Sequence, residues 1–347
     1  MSKLLPFILI LSIFTLFRLY EFYKTTSDGG TGRKSYLHSS IMLRTTAEKN
    51  GVGNLVFQIV SFLGIARSLN RTALMTAEDS KKILKIVKVF PHLFDGVHTV
   101  PSVNSSELPV AAISSSCCVY TNITTLFSTH ANDNIVNLRF SSLTQSFKYF
   151  SSLSLQDIRN LLRLSEDSIK WTKGRIVDEA TLKKADHKIC VHTRRTNFKV
   201  SAVHAWSTNE FTRSAVQLLK RVREKKKSKI PLVIVFGEDQ KWMEQLFSSN
   251  ETFAHVIASA KGAPSPAVLW YFSYLYCDSF IQTASASTFG WWSSFLLKGQ
   301  QVFYNTVFSR PNGFKKAFRP DDFFPKEWIP LEYDTSTKGV GIRPPYE

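Results

Sequence analysis

The chain is expected to be an α/β protein whose C-terminal half is a doubly wound parallel sheet, and two observations carry that expectation. From His187 onward, short apolar runs rich in Val, Ile and Phe alternate with longer helix-forming stretches. Three of the runs end in polar clusters, Thr193-Arg194-Arg195, Gly237-Glu238-Asp239 and Ala284-Ser285-Ala286-Ser287-Thr288, as strands that feed a ligand cleft do.

The chain has 347 residues, of which 44% are hydrophobic and 13% aromatic, enough apolar surface for two ordinary cores. Disorder is excluded on that ground, because a disordered chain lacks the apolar area to offset backbone ordering. The formal charge of +17 suits an anionic partner. Nucleic acid is not expected, since no zinc-finger spacing, aromatic-basic RNA motif or basic helix with heptads accompanies the charge.

At the N-terminus, Lys3 precedes an uncharged run from Leu4 to Phe17, continued by Leu19 and Tyr20 around Arg18. A helix rises ~1.5 Å per residue, so a thin bilayer of ~27 Å takes about 18 residues. Residues 4–20 meet that length with Arg18 snorkelling to the interface, which makes 1–3 a cytoplasmic tail and 4–20 a signal-anchor. A cleaved signal peptide is the competing reading. The absence of a small-x-small cleavage site and the Tyr20, Phe22, Tyr23 aromatics favour the anchor.

Basic residues counted alone favour the reverse orientation. The sequons at Asn70, Asn104, Asn122 and Asn250 permit a lumenal catalytic region, chance occurrence in a Ser- and Thr-rich chain being the alternative. Residues 21–46, rich in Ser, Thr, Gly and charge without a sustained period, read as a stem.

An N-terminal domain is expected over 47–185. It begins with Asn50-Gly51-Val52-Gly53-Asn54, a Gly-rich turn opening a buried helix, and continues with a strand over Thr72–Thr76. Helices are expected near Asp79–Val89 and Leu155–Trp171, and strands near Val110–Ile113 and Cys118–Tyr120.

The second domain, 186–335, alternates strands Lys188–Thr193, Leu232–Phe236, Val256–Ala258, Ser279–Thr283 and Gln301–Tyr304 with helices Asn209–Lys227, Gln240–Phe247, Pro266–Tyr276 and Thr288–Leu297. Residues 336–347 read as a tail. The basic run from Arg221 to Lys229 closes a helix and reads as a solvated face. Four cysteines are too few for a disulfide scaffold: Cys190 reads as a buried thiol, and Cys117 or Cys118 as a partner available to Cys277.

The strand ends carry the chemistry. His192, Arg194 and Arg195 make an anion site, because a pyrophosphate leaving group suits the planar, permanently charged guanidinium fork. Glu238 and Asp239 have three readings: acceptors for guanine or ribose, a base toward an acceptor hydroxyl, or a cap on the following helix. Ser287 and Thr288 stand at a helix start, where hydroxyls and backbone N–H groups donate to phosphate, and ordinary capping is the alternative. Trp291 and Trp292 read as packing residues.

Taken in order, these elements resemble the galactoside α-1,2-fucosyltransferases, glycosyltransferase family 11. That family's His-Val-Arg-Arg-Gly-Asp motif is similar to His192–Asn197, its Ser-Asp-Asp-x-x-Trp to Gly237–Trp242, and its Thr-Phe-Gly-x-Trp to Thr288–Trp292. Its Gly-x-x-Gly-Asn element resembles Asn50–Gln58, and its Leu-Pro-Glu-Trp resembles Phe324–Trp328 with one residue inserted.

The resemblance implies a GT-B fold of two Rossmann-like domains facing a cleft. It implies inverting transfer of fucose from GDP-fucose to a terminal galactose of a glycoprotein or glycolipid glycan, with no metal required. It further implies a type II protein of the Golgi membrane. Arg194, Arg195 and Asp239 would be catalytic, with His192, Glu238, Ser287, Thr288, Phe289, Gly53 and Asn54 around the donor. Asn197 departs from the family's Asp, and Glu238 from its first acidic position. A catalytically silent glycan- or nucleotide-binding relative is the alternative function.

Overall fold

The computed structural model describes residues 35–39, 47–224, 231–247, 254–299, 301–311, 313 and 318–343. The expected anchor over 4–20, the sequon at Asn250 and Lys225 to Lys229 of the basic run lie outside the described residues.

Two sheets form the frame. The first has five parallel strands: β1 (Tyr36–His38), β2 (Thr72–Thr76), β3 (His98–Val100), β4 (Val110–Ile113) and β5 (Ile135–Phe140), in the order β3-β2-β1-β5-β4. The second has seven: β6 (Lys188–His192), β7 (Leu232–Phe236), β8 (His255–Ile257), β9 (Ser279–Gln282), β10 (Gln301–Asn305), β11 (Ile329–Asp334) and β12 (Gly339–Ile342), in the order β12-β11-β10-β9-β6-β7-β8. Among its pairings only β11 with β12 is antiparallel.

In the second sheet the chain steps outward from β6 through β7 to β8, then returns beside β6 with β9 and steps the other way. Strand order therefore reverses between β6 and β9, where open α/β sheets bind ligands. The first sheet reverses between β1 and β5. The central strands of the larger sheet, β6, β7, β9 and β10, are short apolar runs buried on both faces, as covered parallel strands are; all five residues of β7 are buried.

Several expectations need correction. The stem was expected over 21–46, yet Tyr36–His38 is the central strand of the first sheet, paired to β2 and β5. A three-residue strand is too short to show a period, so its burial comes from its neighbours alone. The tail over 336–347 contains β12, which pairs with β11 from Leu331↔Ile342 to Asp334↔Gly339. Cys118–Tyr120 forms no strand, only a bridge from Cys118 to Phe318. The helix expected over Leu155–Trp171 is two, Leu155–Leu161 and Glu166–Thr172.

Cys190 is not a thiol but is bonded to Cys277, with Cα atoms 5.6 Å apart. Cys190 lies in β6 and Cys277 just before β9, so the sheet makes neighbours of residues that are distant in sequence. Cys117 and Cys118 are the free pair.

The core explains how the halves meet. The helix Ala47–Ser68, broken at Gly51 (φ 69°), packs against the helix Thr288–Phe295. Gly51–Ser68 is long and apolar enough to cross a membrane, but 72% of it is buried within the fold, so it is a core helix. Phe57 lies 4.5 Å from Trp291 and 4.9 Å from Trp292, ring centre to ring centre. Trp291 donates from Nε1 to Phe323 O at 2.8 Å, so its one polar atom is satisfied inside the core. A single apolar cluster thus runs from the first sheet to the Trp pair, and a second lies on the other face of the larger sheet.

Candidate active site

The loop leaving β6 is fixed by two carboxylates from the end of β7. Glu238 Oε1 accepts from the backbone N–H groups of Arg195 at 2.7 Å and Thr196 at 2.9 Å, and from Thr196 Oγ1 at 3.0 Å. The same oxygen lies 3.5 Å from Arg194 Nε. Glu in place of the expected Asp supplies one more methylene for this reach across the strand ends.

Asp239 caps the helix Gln240–Leu246 by accepting from Trp242 N, and its other oxygen accepts from Arg195 Nε at 3.1 Å. Both oxygens are engaged before any acceptor arrives. Asp239 thus caps the helix and anchors Arg195 at once, each oxygen keeping a further lone pair.

The two arginines have different surroundings. Arg195 is 11% exposed, donates from Nη1 to Ser207 O at 2.6 Å, and lies over the Trp242 ring at 4.1 Å. Its charge is spent on holding the loop. Arg194 is 32% exposed, lies over Phe198 at 5.6 Å, and has no terminal guanidinium partner among the described residues. Arg194 thus keeps its terminal N–H groups available while its Nε faces Glu238.

Asn197 is exposed on the short helix Thr196–Val200, directly after Thr196, and the contacts that Glu238 and Asp239 make with the arginine loop do not involve its side chain. The family position it departs from is not required for those contacts here. Ser207, which sequence reasoning missed, ties the loop down: its Oγ accepts from Arg194 N at 2.9 Å, and its N donates to Arg194 O at 3.0 Å. A lone buried Ser in a loop gives no sequence signal.

His192 is 2% exposed, and burial, aided by Arg194, pushes its imidazole down to about 3. It stays neutral and adds no positive charge to the site. Its ring packs on Gly290, where an added Cβ would stand 2.4 Å from Nδ1. Gln282, its register partner on β9, is another residue the sequence did not single out. Its amide is fully buried and has no partner atom at either end among the described residues.

The third strand end is completed from the other half of the chain. Ser287 makes no side-chain cap on the helix Thr288–Phe295, so the first N–H groups there remain donors. Thr288 Oγ1 donates to Asn54 Oδ1 at 2.7 Å, and Trp292 Nε1 donates to Gly53 O at 3.1 Å. An added Cβ at Gly53 would come within 2.7 Å of Thr288 Oγ1 and 3.0 Å of Phe289 N, so glycine is required for this approach. The Phe289 ring packs 5.4 Å from the Trp270 ring, and its carbonyl accepts from Trp270 Nε1 at 3.1 Å.

Gly53, Asn54, Thr288 and Phe289 thus meet at one junction, while Arg194, Arg195, Glu238 and Asp239 meet at the neighbouring strand end. The surroundings offer N–H and O–H donors and the terminal N–H groups of Arg194, a chemistry suited to a diphosphate. No cluster of three metal-ligating side chains occurs among the described residues.

Asn70, Asn104 and Asn122 are all exposed. Asn104 Nδ2 donates to Glu107, and Asn122 caps a short helix with its Oδ1.

Residues 129–332 match glycosyl transferase family 11. A Caenorhabditis elegans galactoside 2-alpha-L-fucosyltransferase is 30% identical over 293 residues, 83% of this chain and 78% of that protein. A second such C. elegans protein is 28% identical, covering 83% of this chain and 76% of its own length. Among solved structures, a mutant of Arabidopsis thaliana FUT1 in complex with GDP has a TM-score of 0.51 at 14% identity, over 94% of this chain and 82% of that one.

Proposed function

This chain belongs to glycosyl transferase family 11 and is a glycosyltransferase, and from that premise we propose that it transfers L-fucose from GDP-fucose to a terminal galactose hydroxyl in α-1,2 linkage, with inversion. The names of its C. elegans relatives support the sugar and linkage, and the likeness in fold to the Arabidopsis protein supports a GT-B arrangement of the two sheets.

One observation carries the reading. At the point where strand order reverses, Arg194 is paired with Glu238 only through Nε and keeps both terminal guanidinium nitrogens without a partner among the described residues, whereas Arg195 Nη1 is engaged by Ser207 O. As the glycosidic bond of the donor breaks, negative charge grows on the β-phosphate oxygen. Arg194 stabilises that charge as a fixed cation, with the N–H groups of Thr288 and Phe289 and the amide of Asn54 as neutral donors. Arg195, Glu238 and Asp239 hold the loop so that Arg194 need not be ordered during the reaction. Ser287 adds a hydroxyl beside the same helix start.

The galactose-terminated acceptor enters between the sheets, and no metal is needed to offset the diphosphate. A Golgi lumenal placement, with the anchor over 4–20, is part of the proposal. The disulfide between Cys190 and Cys277 supports an oxidising compartment.

Calorimetric titration of the detergent-solubilised full-length chain with GDP, beside UDP, tests the reading. The expected result is micromolar GDP binding, no UDP binding, and loss of GDP binding in Arg194→Ala. Folded protein that ignores GDP would sink it.

A further inference from the structure

We infer that Gln145 is a positioning residue that fixes which end of the Asn54 amide faces the donor, an inference that rests on the donor-nucleotide reading above. Asn54 Oδ1 accepts twice, from Gln145 Nε2 at 3.0 Å and from Thr288 Oγ1 at 2.7 Å. A carbonyl oxygen has two lone pairs, so this oxygen is saturated. Nδ2, with two N–H groups and no partner among the described residues, is turned to the open side of a half-buried residue. It joins the uncapped start of the helix Thr288–Phe295 as a further neutral donor toward a diphosphate.

Gln145 is itself held in one orientation. It is 6% exposed, its backbone N donates to Cys117 O at 2.6 Å, and its Oε1 accepts from the Cys118 thiol at 3.6 Å. Reversing the Gln145 amide would set its oxygen against Asn54 Oδ1, acceptor against acceptor, in a site closed to water. The amide of Gln145 and the hydroxyl of Thr288 therefore donate to the same oxygen of Asn54, one from each half, and together fix which end of its amide is left over.

Substitution of Gln145 tests this on the solubilised full-length chain. In Gln145→Glu the carboxylate offers only acceptors, draws Asn54 Nδ2 toward itself and turns Oδ1 to the diphosphate. GDP affinity is expected to fall at least tenfold, by roughly 1.4 kcal/mol or more. Gln145→Met, uncharged and similar in volume, covers the case in which the buried charge prevents folding, and is expected to lose three- to tenfold.

The decisive readout is coupling: in an Asn54→Ala background either change at Gln145 should alter GDP affinity less than twofold. A merely structural role would leave the loss undiminished in that background. Wild type that binds GDP while both Gln145 variants bind it equally well, or a loss that persists in Asn54→Ala, overturns the positioning role alone. Folded wild type that ignores GDP removes the donor reading and the positioning role with it.

Discussion

The two strand ends that flank the switch point are held in place by different means. The Arg194 loop after β6 is fixed from within the C-terminal half, by Glu238, Asp239 and Ser207. The helix start after β9 is fixed from the other half, by Asn54 and Gly53. Charge is thus presented by a locally self-sufficient loop, whereas the neutral donors exist in working order only when the two halves are docked. Damage to one should look like lost chemistry, and damage to the other like lost assembly.

The strongest test of that contrast is at the docking core. Trp291→Ala is expected to cost about 3–5 kcal/mol of stability, since it empties a fully buried site shared by both halves. Urea unfolding followed by tryptophan fluorescence and by far-UV circular dichroism measures it, and a loss below about 1 kcal/mol would deny that the cluster joins the halves.

At the loop, Arg194→Ala is expected to lower turnover by about 10²–10³-fold, a barrier change of about 2.7–4 kcal/mol, with an unchanged urea midpoint. Arg195→Ala should lower both turnover and the midpoint, because it strips a partner from Asp239 and leaves the face of Trp242 bare. Equal effects of the two on stability would erase the distinction drawn between them.

Acid should weaken the fold modestly. Burial lowers the proton affinity of His192, His38 and His204, so each favours its neutral form in the folded chain. The unfolded chain takes up those protons below about pH 6.5, so this contribution is complete above that pH and is lost as pH falls toward 3. From pH 7.5 to 5.5, His192 alone should cost about 1 kcal/mol. The urea midpoint at the two values reads it, and His192→Gln should flatten part of the slope.

Smallest of all should be Asn197→Asp. The clamp on the arginine pair already comes from Glu238 and Asp239, so restoring the family's acid should change GDP affinity by less than threefold. A tenfold gain would show that the loop as it stands is incompletely held.

How much of this was legible beforehand follows from where the determining forces lie. The strands of the larger sheet and their polar ends were readable, because parallel strands covered on both faces are continuous apolar runs and their loops carry the chemistry. The Arg pair, Glu238, Asp239 and Thr288 were visible as residue types at strand ends. β1, the bond between Cys190 and Cys277, the hub at Ser207 and the link from Gln145 to Asn54 were not, since each depends on pairing between segments distant in the chain.

The amino-acid sequence by itself thus determined the α/β alternation, the arginine motif and membership of the family. Only the tertiary structure decided which arginine keeps its terminal nitrogens unpartnered among the described residues, that Asp239 caps and anchors, that His192 stays neutral, and that Asn54 Oδ1 accepts from both halves. The physical reason is common to all four: charge, protonation and hydrogen-bond direction are properties of a side chain's surroundings, and those surroundings are assembled from both halves of the fold.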